Sequence, residues 1–352
     1  MSDISQQIKE QIEAAIANKT PLNIIGGNSK SFLGHAIDCQ NLKMAEHSGI
    51  INYEPSELVM TARAGTSLEE IETALNQHNQ MLPFEPPHYG SGATIGGTIA
   101  CNLSGPRRAY AGAARDYVLG TKIINGKAEE LKFGGEVMKN VAGYDVSRLM
   151  VGAMGTLGVM LEISFKVLPC LPAEITLVQA MSADDALRKM NQWAASPLPM
   201  SATCYINGKL YVRLSGVDSA LQAARNQIGG EELNDSKSFW FQLREHGLPL
   251  FKKAEKLWRL SVPQTTSPLS LDGEQIIEWG GGLRWLFSDS SEEEIRNITK
   301  SVGGHATLYK GESPTKNVFQ SLDAGINKLH HNLKHAFDPA GIFNPGRMFN
   351  NL

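Results

Sequence analysis

Two stretches of the chain are rich in glycine and small polar residues, the residue types that commonly bind phosphate groups. One is GGNSK at residues 26–30, which directly follows the apolar run Leu22–Ile25, and the other is GSGATIGG at residues 90–97. Glycine has no Cβ and tolerates positive φ, so the backbone at such positions approaches a ligand closely. Consecutive N–H groups in such loops bind phosphate oxygens. For the first stretch taken alone, a plain strand-to-turn junction is the alternative interpretation.

The spacing of these glycines excludes the two commonest nucleotide-binding motifs. After Gly90 and Gly92, the dinucleotide fingerprint GxGxxG requires a third glycine where the chain has Ile95. The later run GAMGTLG at residues 152–158 also has the wrong spacing, and no GxxxxGK sequence occurs. Neither an NAD-binding Rossmann fold nor a P-loop is therefore predicted.

Apolar periodicity predicts the elements that would position these stretches. Isoleucine recurs at every fourth position over residues 4–16, which is typical of an amphipathic helix. Residues 59–64 form a predicted strand, after which Thr66 or Ser67 could cap a second helix. The predicted buried face of that helix consists of Leu68, Ile71 and Leu75.

Strand-like alternation continues towards the middle of the chain. Residues 118–124 and 130–133 are separated by Asn125-Gly126, a strong signal for a β-hairpin turn. Residues 159–167 alternate in the same way, and the prolines that follow predict a domain boundary near residue 170.

The second half of the chain has a different composition, with all five tryptophans between residues 174 and 316. The predicted strands are 175–180, 204–206, 210–214 and 282–287. The predicted helices are 183–194, 219–228 and 292–302. This order is that of a compact α+β module. A last helix, marked by Leu322, Ile326 and Leu329, leads from residue 319 into a tail rich in proline and glycine.

Several segments together resemble the FAD-binding flavoenzymes of the vanillyl-alcohol oxidase type. In chain order they are GGNSKSFLG, GATIGGTIACNLSGP, RDYVLG, NVAGYDVSRLMVGAMGTLGV and FDPAGIFNPGRM. They cover residues 20–170 and the tail. The segments PFEPPHYGSGATIGGTIACNLSGPRRAYAG, WGGGLRWL and GGHATLYKG are in addition similar to flavin-binding subunits of bacterial 2-hydroxy-acid oxidases.

The resemblance implies an α+β protein in which two α/β subdomains (1–170) enclose non-covalent FAD beneath an α+β cap domain (171–318). Segment 319–352 would return to the first domain. The implied FAD-binding residues are Gly26, Gly27, Asn28, Ser29 and Lys30 in a first loop, Gly92, Ala93, Thr94, Gly96 and Gly97 in a second, Ser104 and Gly105 close by, and Val159 through its backbone.

Two departures from the family pattern bear on chemistry. Members with a covalently attached flavin often carry a histidine in the first loop, where this chain has Asn28-Ser29. Related 2-hydroxy-acid dehydrogenases carry a metal-binding histidine pair and an HxGDGNxH-like motif in the cap, which this chain lacks. His331 and His335 offer an i, i+4 pair, but no third ligand stands at a useful spacing, so no metal is predicted.

Candidate catalytic residues in the cap are Arg284 and His305. An arginine binds a carboxylate in bidentate fashion, and a histidine near an alcohol accepts its proton. The alternatives are that Arg284 pairs within the cap sheet and that His305 only packs. The pair Arg107-Arg108 could aid a phosphate or a partner surface, but an exposed basic turn is the simpler interpretation.

Bulk composition narrows the class of protein. A chain of 352 residues with 42% apolar and 20% charged residues is typical of a globular protein with two domains. A net charge of −3 without a basic stripe gives no sign of nucleic-acid binding. Four scattered cysteines suggest buried, unpaired thiols rather than a zinc site or iron–sulfur cluster. We expect a cytoplasmic chain without a signal peptide, reaching the inner membrane only through partner subunits.

Two functions follow from the resemblance. In the first, the chain is the flavin-carrying subunit of a complex that oxidises a small 2-hydroxy acid such as glycolate. A larger flavin subunit and an iron–sulfur subunit would be its partners, and electrons would pass to a partner subunit. In the second, the chain oxidises the 2-hydroxy acid by itself. The missing histidine motif favours a flavin-carrying or assembly role, and a cell-wall enolpyruvyl reductase is a lesser alternative.

Overall fold

The computed structural model describes residues 2–135, 145–253, 255–312, 317–350 and 352. Residues 140–144, which open one of the family segments, lie outside the described residues. Among the residues described, no helix combines the length and the apolar character needed to cross a bilayer.

The first 170 residues form three sheets with surrounding helices. Their elements are α1 (Ser5–Asn18), β1 (Leu22–Ile25), β2 (Gln40–Lys43), β3 (Ile50–Glu54), β4 (Val59–Arg63), α2 (Leu68–Asn76), β5 (Gln80–Met81), α3 (Ile95–Cys101), α4 (Arg108–Ala111), α5 (Ala114–Tyr117), β6 (Val118–Ile124), β7 (Glu130–Gly134), α6 (Val146–Met150), β8 (Val159–Lys166) and β9 (Leu168–Pro169). Strands β1 and β2 are a parallel pair, β5 pairs with β9, and an antiparallel sheet has the order β3-β4-β8-β6-β7.

The predicted helices of this region are confirmed, and their buried faces explain their positions. In α1 the buried side chains are Ile8, Ile12 and Ala15. In α2 the predicted face of Leu68, Ile71 and Leu75 is fully buried. Of the two possible caps, Ser67 is the one used, because its hydroxyl accepts a hydrogen bond from the Glu70 N–H at 3.1 Å.

The hairpin of β6 and β7 is confirmed, but its turn differs from the predicted Asn-Gly turn. The Asn125 side-chain oxygen accepts hydrogen bonds from the N–H groups of Lys127 and Glu129, and positive φ occurs at Ala128 rather than at Gly126. A Cβ on Gly126 would lie 2.6 Å from Asp338 Cα. Glycine is therefore required here for the approach of the C-terminal segment.

Residues 173–310 form one antiparallel sheet with helices. The elements are β10 (Ala173–Ala180), α7 (Ala183–Ala194), β11 (Met200–Ile206), β12 (Lys209–Gly216), α8 (Asp218–Ile228), β13 (Glu231–Glu232), α9 (Ser236–Arg244), α10 (Pro249–Lys253), β14 (Leu257–Ser261), β15 (Glu274–Glu278), a 3-10 turn (Trp279–Gly281), β16 (Leu283–Phe287), α11 (Glu292–Ser301) and β17 (His305–Lys310). The strand order is β13-β10-β12-β11-β15-β16-β14-β17. The predicted strands and helices are confirmed, whereas α9, α10, β13, β14, β15 and β17 were not predicted from the sequence.

Alternate residues of the last strands face opposite sides of this sheet, as the period of two requires. Leu283, Trp285 and Phe287 of β16 pack in the cluster that contains Met154 of the first domain. Leu286 packs instead with residues of α11 on the outer side. The inner side of the cap sheet therefore covers the first domain.

The C-terminal segment begins with α12 (Ala324–Phe337), whose predicted apolar positions are not buried. Ile326 and Leu329 are 42% and 56% exposed. The following tail returns to the first domain, where Ile342 and Phe343 pack against α1 and β1. The Leu22 N–H donates to Ile342 O at 2.7 Å, so the tail runs alongside β1 and is hydrogen-bonded to it.

Candidate cofactor cavity and interdomain pocket

The two predicted glycine loops lie against each other beside a cavity of about 430 Å³. A Cβ on Gly27 would lie 1.3 Å from Gly92 O, and a Cβ on Gly26 would lie 2.4 Å from Thr94 Oγ1. These distances leave no room for a side chain on either glycine, so the backbone of the first loop lies directly against the second loop. Separated by more than sixty positions in the sequence, they form one wall.

Most of the predicted FAD-binding residues line this cavity. They are Gly26, Gly27, Asn28, Ser29, Lys30, Thr94, Gly96 and Gly97. Asn28 adopts a left-handed φ of 59°, which turns the first loop after β1. Thr94 caps α3, because its hydroxyl accepts a hydrogen bond from the Gly97 N–H at 3.2 Å.

Five of the predicted FAD-binding residues do not line the cavity. The carbonyl oxygen of Gly92 packs against Gly27, and the Ala93 side chain is buried. Val159 is fully buried in the core with α1, while its neighbours Gly158 and Met160 line the cavity.

The other two of these residues belong to the boundary between the domains. The Ser104 hydroxyl accepts a hydrogen bond from the Ala114 N–H at 3.0 Å, and Ser104 lines a second pocket. Gly105 O accepts a hydrogen bond from Trp279 Nε1 at 3.0 Å. Ser104 therefore lines the pocket between the domains, and Gly105 contacts the cap through its carbonyl oxygen.

Lys30 places a positive charge inside the cavity. The side chain is only 6% exposed, and its ammonium donates to Ser29 Oγ at 3.2 Å and His88 O at 3.3 Å. In the described part of the chain Lys30 forms no ion pair with a carboxylate, and burial lowers its pKa. A buried cation without an anionic partner, beside glycine-rich backbone, fits the phosphate groups of a dinucleotide.

The tail completes the cavity with two residues that the sequence did not single out individually. Asn344 Oδ1 accepts from the Ile24 N–H at 2.7 Å, while its amide donates to Met154 O at 2.6 Å. Arg347 donates to Ser31 O and His35 O, both at 3.0 Å, and so holds the end of the first loop. The resemblance of the segment FDPAGIFNPGRM was the signal for this contribution.

A second pocket of about 530 Å³ lies between the first domain and the cap sheet. Cys101 and Met154 line both the pocket and the cavity, so the two spaces adjoin. Burial raises the pKa of the Cys101 thiol, which keeps it protonated.

The expectation of buried cysteines is wrong for Cys170, which is exposed.

Neighbouring strands of the cap sheet present polar side chains to this pocket. Arg259 of β14 stands opposite Thr307 of β17, and His305 and Tyr309 occupy the next positions on the same face. Burial, followed by the charge of Arg259, lowers the pKa of His305, so this imidazole is neutral at pH 7.

A hydrogen-bonded group of aromatic side chains closes one side of the pocket. The hydroxyls of Tyr89 and Tyr309 lie 2.9 Å apart, and Tyr89 also contacts His246 Nε2 at 3.3 Å. Burial, followed by the charge of Lys310, lowers the pKa of His246 to about 3, and burial raises the pKa of both tyrosines. The group is therefore uncharged over the physiological pH range.

Arg284 does not reach the pocket and is not a substrate-binding candidate. Its guanidinium is fully buried on the outer side of the sheet and donates to the carbonyls of Gly281, Thr266 and Ser267. The neighbouring Trp285 is the residue of β16 that lines the pocket. Successive side chains of a strand point to opposite faces of the sheet, so Arg284 points away from the pocket that Trp285 lines.

Arg107 is buried rather than part of an exposed basic turn. It donates to Glu85 Oε1 at 3.1 Å and to Glu174 Oε2 at 3.1 Å, and Arg213 of the cap donates to both Glu85 oxygens at 2.8 Å. Burial opposes ionisation of Glu85, but Arg213 and Arg107 outweigh it and hold the pKa of Glu85 below its usual value. This ion-pair network joins the two domains.

Within the described ranges, no group of three or more His, Cys, Asp or Glu side chains has a metal-binding arrangement. His331 Nδ1 lies 2.9 Å from Asn327 O of its own helix.

Comparisons with known proteins agree with this architecture. A model of an FAD binding domain matches residues 4–134. The chain is similar to glycolate oxidase subunit GlcE of Escherichia coli (strain K12), with 50% identity over 350 residues, 99% of each protein. It is also 32% identical over 137 residues to glycolate oxidase subunit GlcD of Bacillus subtilis (strain 168), a match covering 39% of this chain and 29% of that protein.

Among solved structures, p-cresol methylhydroxylase with substrate bound shares the fold. The TM-score is 0.73 at 15% sequence identity, and the match covers 100% of this chain and 89% of that chain. The predicted α+β fold class and the predicted FAD cofactor are thereby confirmed.

Proposed function

The chain belongs to the family of the glycolate oxidase subunit GlcE, and from this premise we propose that it is the FAD-binding subunit of a glycolate oxidase complex. In this proposal the complex oxidises glycolate to glyoxylate. The chain supports that oxidation, and electrons leave through a partner subunit. The partners proposed are a larger flavin subunit and an iron–sulfur subunit, which would also make any contact with the inner membrane.

The observation that carries the proposal is the backbone contact of Gly27 with Gly92 beside the buried Lys30. In this assignment the two loops and Lys30 bind the FAD pyrophosphate, and Asn344 and Arg347 hold the loop that faces them. FAD supplies an acceptor for the hydride of a 2-hydroxy acid when it is bound. The cap sheet, whose pocket adjoins the cavity, would cover the bound flavin and exclude water from it.

The flavin content of the purified complex and of the isolated full-length chain tests this function. We expect about one FAD per chain, released by acid treatment because it is bound without a covalent bond. A chain that contains no FAD and cannot be reconstituted with it would contradict the proposal.

A self-sufficient 2-hydroxy-acid dehydrogenase is the second candidate function. The observation that favours it is the polar interdomain pocket adjoining the cofactor cavity at Cys101 and Met154. Anaerobic addition of glycolate to the isolated FAD-loaded chain separates the candidates. Bleaching of the flavin absorbance without partners would support self-sufficient oxidation, and an unchanged spectrum would support a flavin-carrying or assembly role.

A further inference from the structure

We propose that Arg259 anchors the carboxylate of a small 2-hydroxy acid in the interdomain pocket, which gives this chain a substrate subsite of its own. The inference rests on the proposed function in one respect, because it takes the neighbouring cavity to hold FAD. It goes beyond that function by assigning substrate binding to this subunit and to one residue.

Arg259 differs from three other arginines near the domain boundary because its guanidinium forms no hydrogen bond or salt bridge with the described residues, although Glu278 lies near enough to act on its charge. Arg107 and Arg213 bind carboxylates, and Arg347 binds backbone carbonyls. Across the described residues, the Arg259 guanidinium has no hydrogen bond or salt bridge, and its Cζ lies 5.2 Å from the centre of the Trp279 ring. Arg259 is half-buried and lines the pocket, so its guanidinium can donate hydrogen bonds to an anionic ligand there.

The residues around Arg259 favour a ligand with one carboxylate and one hydroxyl. Thr307, Tyr309 and His305 on the adjacent strand offer neutral donors and acceptors. No second Lys or Arg lines the described pocket, so a second carboxylate would be unpaired. The one acidic residue of the lining, Asp323, is exposed and caps α12 by accepting from the Ile326 N–H at 2.9 Å.

The position of Arg259 also suits a substrate that reacts at a bound flavin. Its pocket shares Cys101 and Met154 with the cofactor cavity. A carboxylate held at the cap sheet would therefore leave the carbinol end of a two-carbon acid free to face the cofactor. Orientation of this kind is the contribution that a binding residue makes to the reaction of a cofactor.

Calorimetric titration of the FAD-loaded full-length chain with glycolate and with glycolamide tests the inference. Glycolamide keeps the hydroxyl and the size but lacks the negative charge. We expect the wild-type chain to bind glycolate about 100-fold more tightly than glycolamide, since a bidentate charged contact is lost with the amide. Arg259→Met should abolish that preference, while Arg259→Lys should retain roughly a tenth of the glycolate affinity.

Arg108→Met is the matched control. Arg108 is exposed, stacks on the same Trp279 ring at 4.4 Å and does not line the pocket. Its removal changes the net charge by the same amount as removal of Arg259. We expect the glycolate affinity to stay within about threefold of the wild-type value, because solvent and salt screen the charge of an exposed side chain. Equal losses of glycolate affinity in the Arg108 and Arg259 variants would overturn the proposal, because they would show that the net positive charge of the region, rather than a contact with Arg259, attracts glycolate.

The flavin content of the same samples separates this inference from the proposed function. An FAD-loaded wild-type chain that shows no preference for glycolate would overturn the Arg259 subsite and leave the FAD-binding role intact. A chain that prefers glycolate but cannot hold FAD would support the subsite and contradict the FAD-binding role.

Discussion

The cofactor cavity and the interdomain pocket adjoin, yet they are built from different parts of the chain. The cavity is formed mainly by backbone and small residues of two short loops, such as Gly27 and Gly97. The pocket is formed by large side chains from separate strands, such as Arg259, Trp285 and Tyr309. A backbone-built site is therefore sensitive to a single added methyl group, whereas a side-chain-built site is sensitive to strand orientation and domain docking.

The largest expected effect tests the backbone-built cavity. In Gly27→Ala the new Cβ would overlap Gly92 O at 1.3 Å, so the two loops must separate. We expect FAD affinity to fall by at least about 100-fold, measured by fluorescence titration of the deflavinated chain, because backbone cannot yield as a flexible side chain does. In the control Gly216→Ala, the Cβ would meet only Pro199 Cβ at 3.7 Å, and affinity should not change.

A second change separates charge from size at the same cavity. A Cβ at Gly97 would meet only Thr94 Oγ1 at 3.2 Å, so Gly97→Ala is expected to cost less than about fivefold in FAD affinity. Gly97→Asp adds a carboxylate beside the proposed phosphate site, and we expect a loss of about 100-fold from charge repulsion. Similar affinities in the two variants would show that the pyrophosphate lies elsewhere.

Removal of the ion pair between the domains should affect the pocket more than the cavity. Arg213→Met leaves Glu85 with Arg107 alone, and breaking one side of a buried pair costs about 3 kcal/mol of stability. We expect a lower urea midpoint and weaker glycolate binding, with FAD content unchanged. Parallel losses of FAD and glycolate would contradict the view that the two sites are built independently.

The smallest expected effect on ligand binding at the two sites concerns a buried acid behind the pocket, whose change should act on stability. Burial raises the pKa of Glu278 from 4.5 to about 7, although Trp285 Nε1 donates to this carboxylate and Arg259 also favours its ionised form. A raised folded-state pKa means that the wild-type protein loses stability as pH rises from about 4.5 to about 7.

Glu278→Gln cannot ionise, so its stability relative to wild type should increase with pH over that window. We expect a gain of about 3 kcal/mol at pH 8 and little difference at pH 4.5, measured by urea unfolding at each pH. A difference that does not depend on pH would show that Glu278 is already ionised in the folded protein.

The local signals of the sequence were sufficient for the cofactor cavity. Glycine loops at 26–30 and 90–97, and the heptad-like faces of α1 and α2, depend on neighbouring residues and were recognisable without a structure. Five predicted residues are exceptions, and one of them, Val159, is buried against α1 by packing between elements distant in sequence.

The interdomain pocket was decided by tertiary structure. The strands β14 and β17 are short and carry polar residues on their inner positions, so their alternation was not recognised, and Arg259 and Tyr309 were missed. Of the two candidate catalytic residues, His305 does line the pocket, whereas Arg284 lies on the opposite face of β16 and bonds within the cap, which is the alternative that the sequence left open. Residue type and spacing thus determined where backbone could approach a cofactor, because that property is local. Which side chains converge on a substrate depends on strand register and on the docking of the cap, and only the folded chain establishes both.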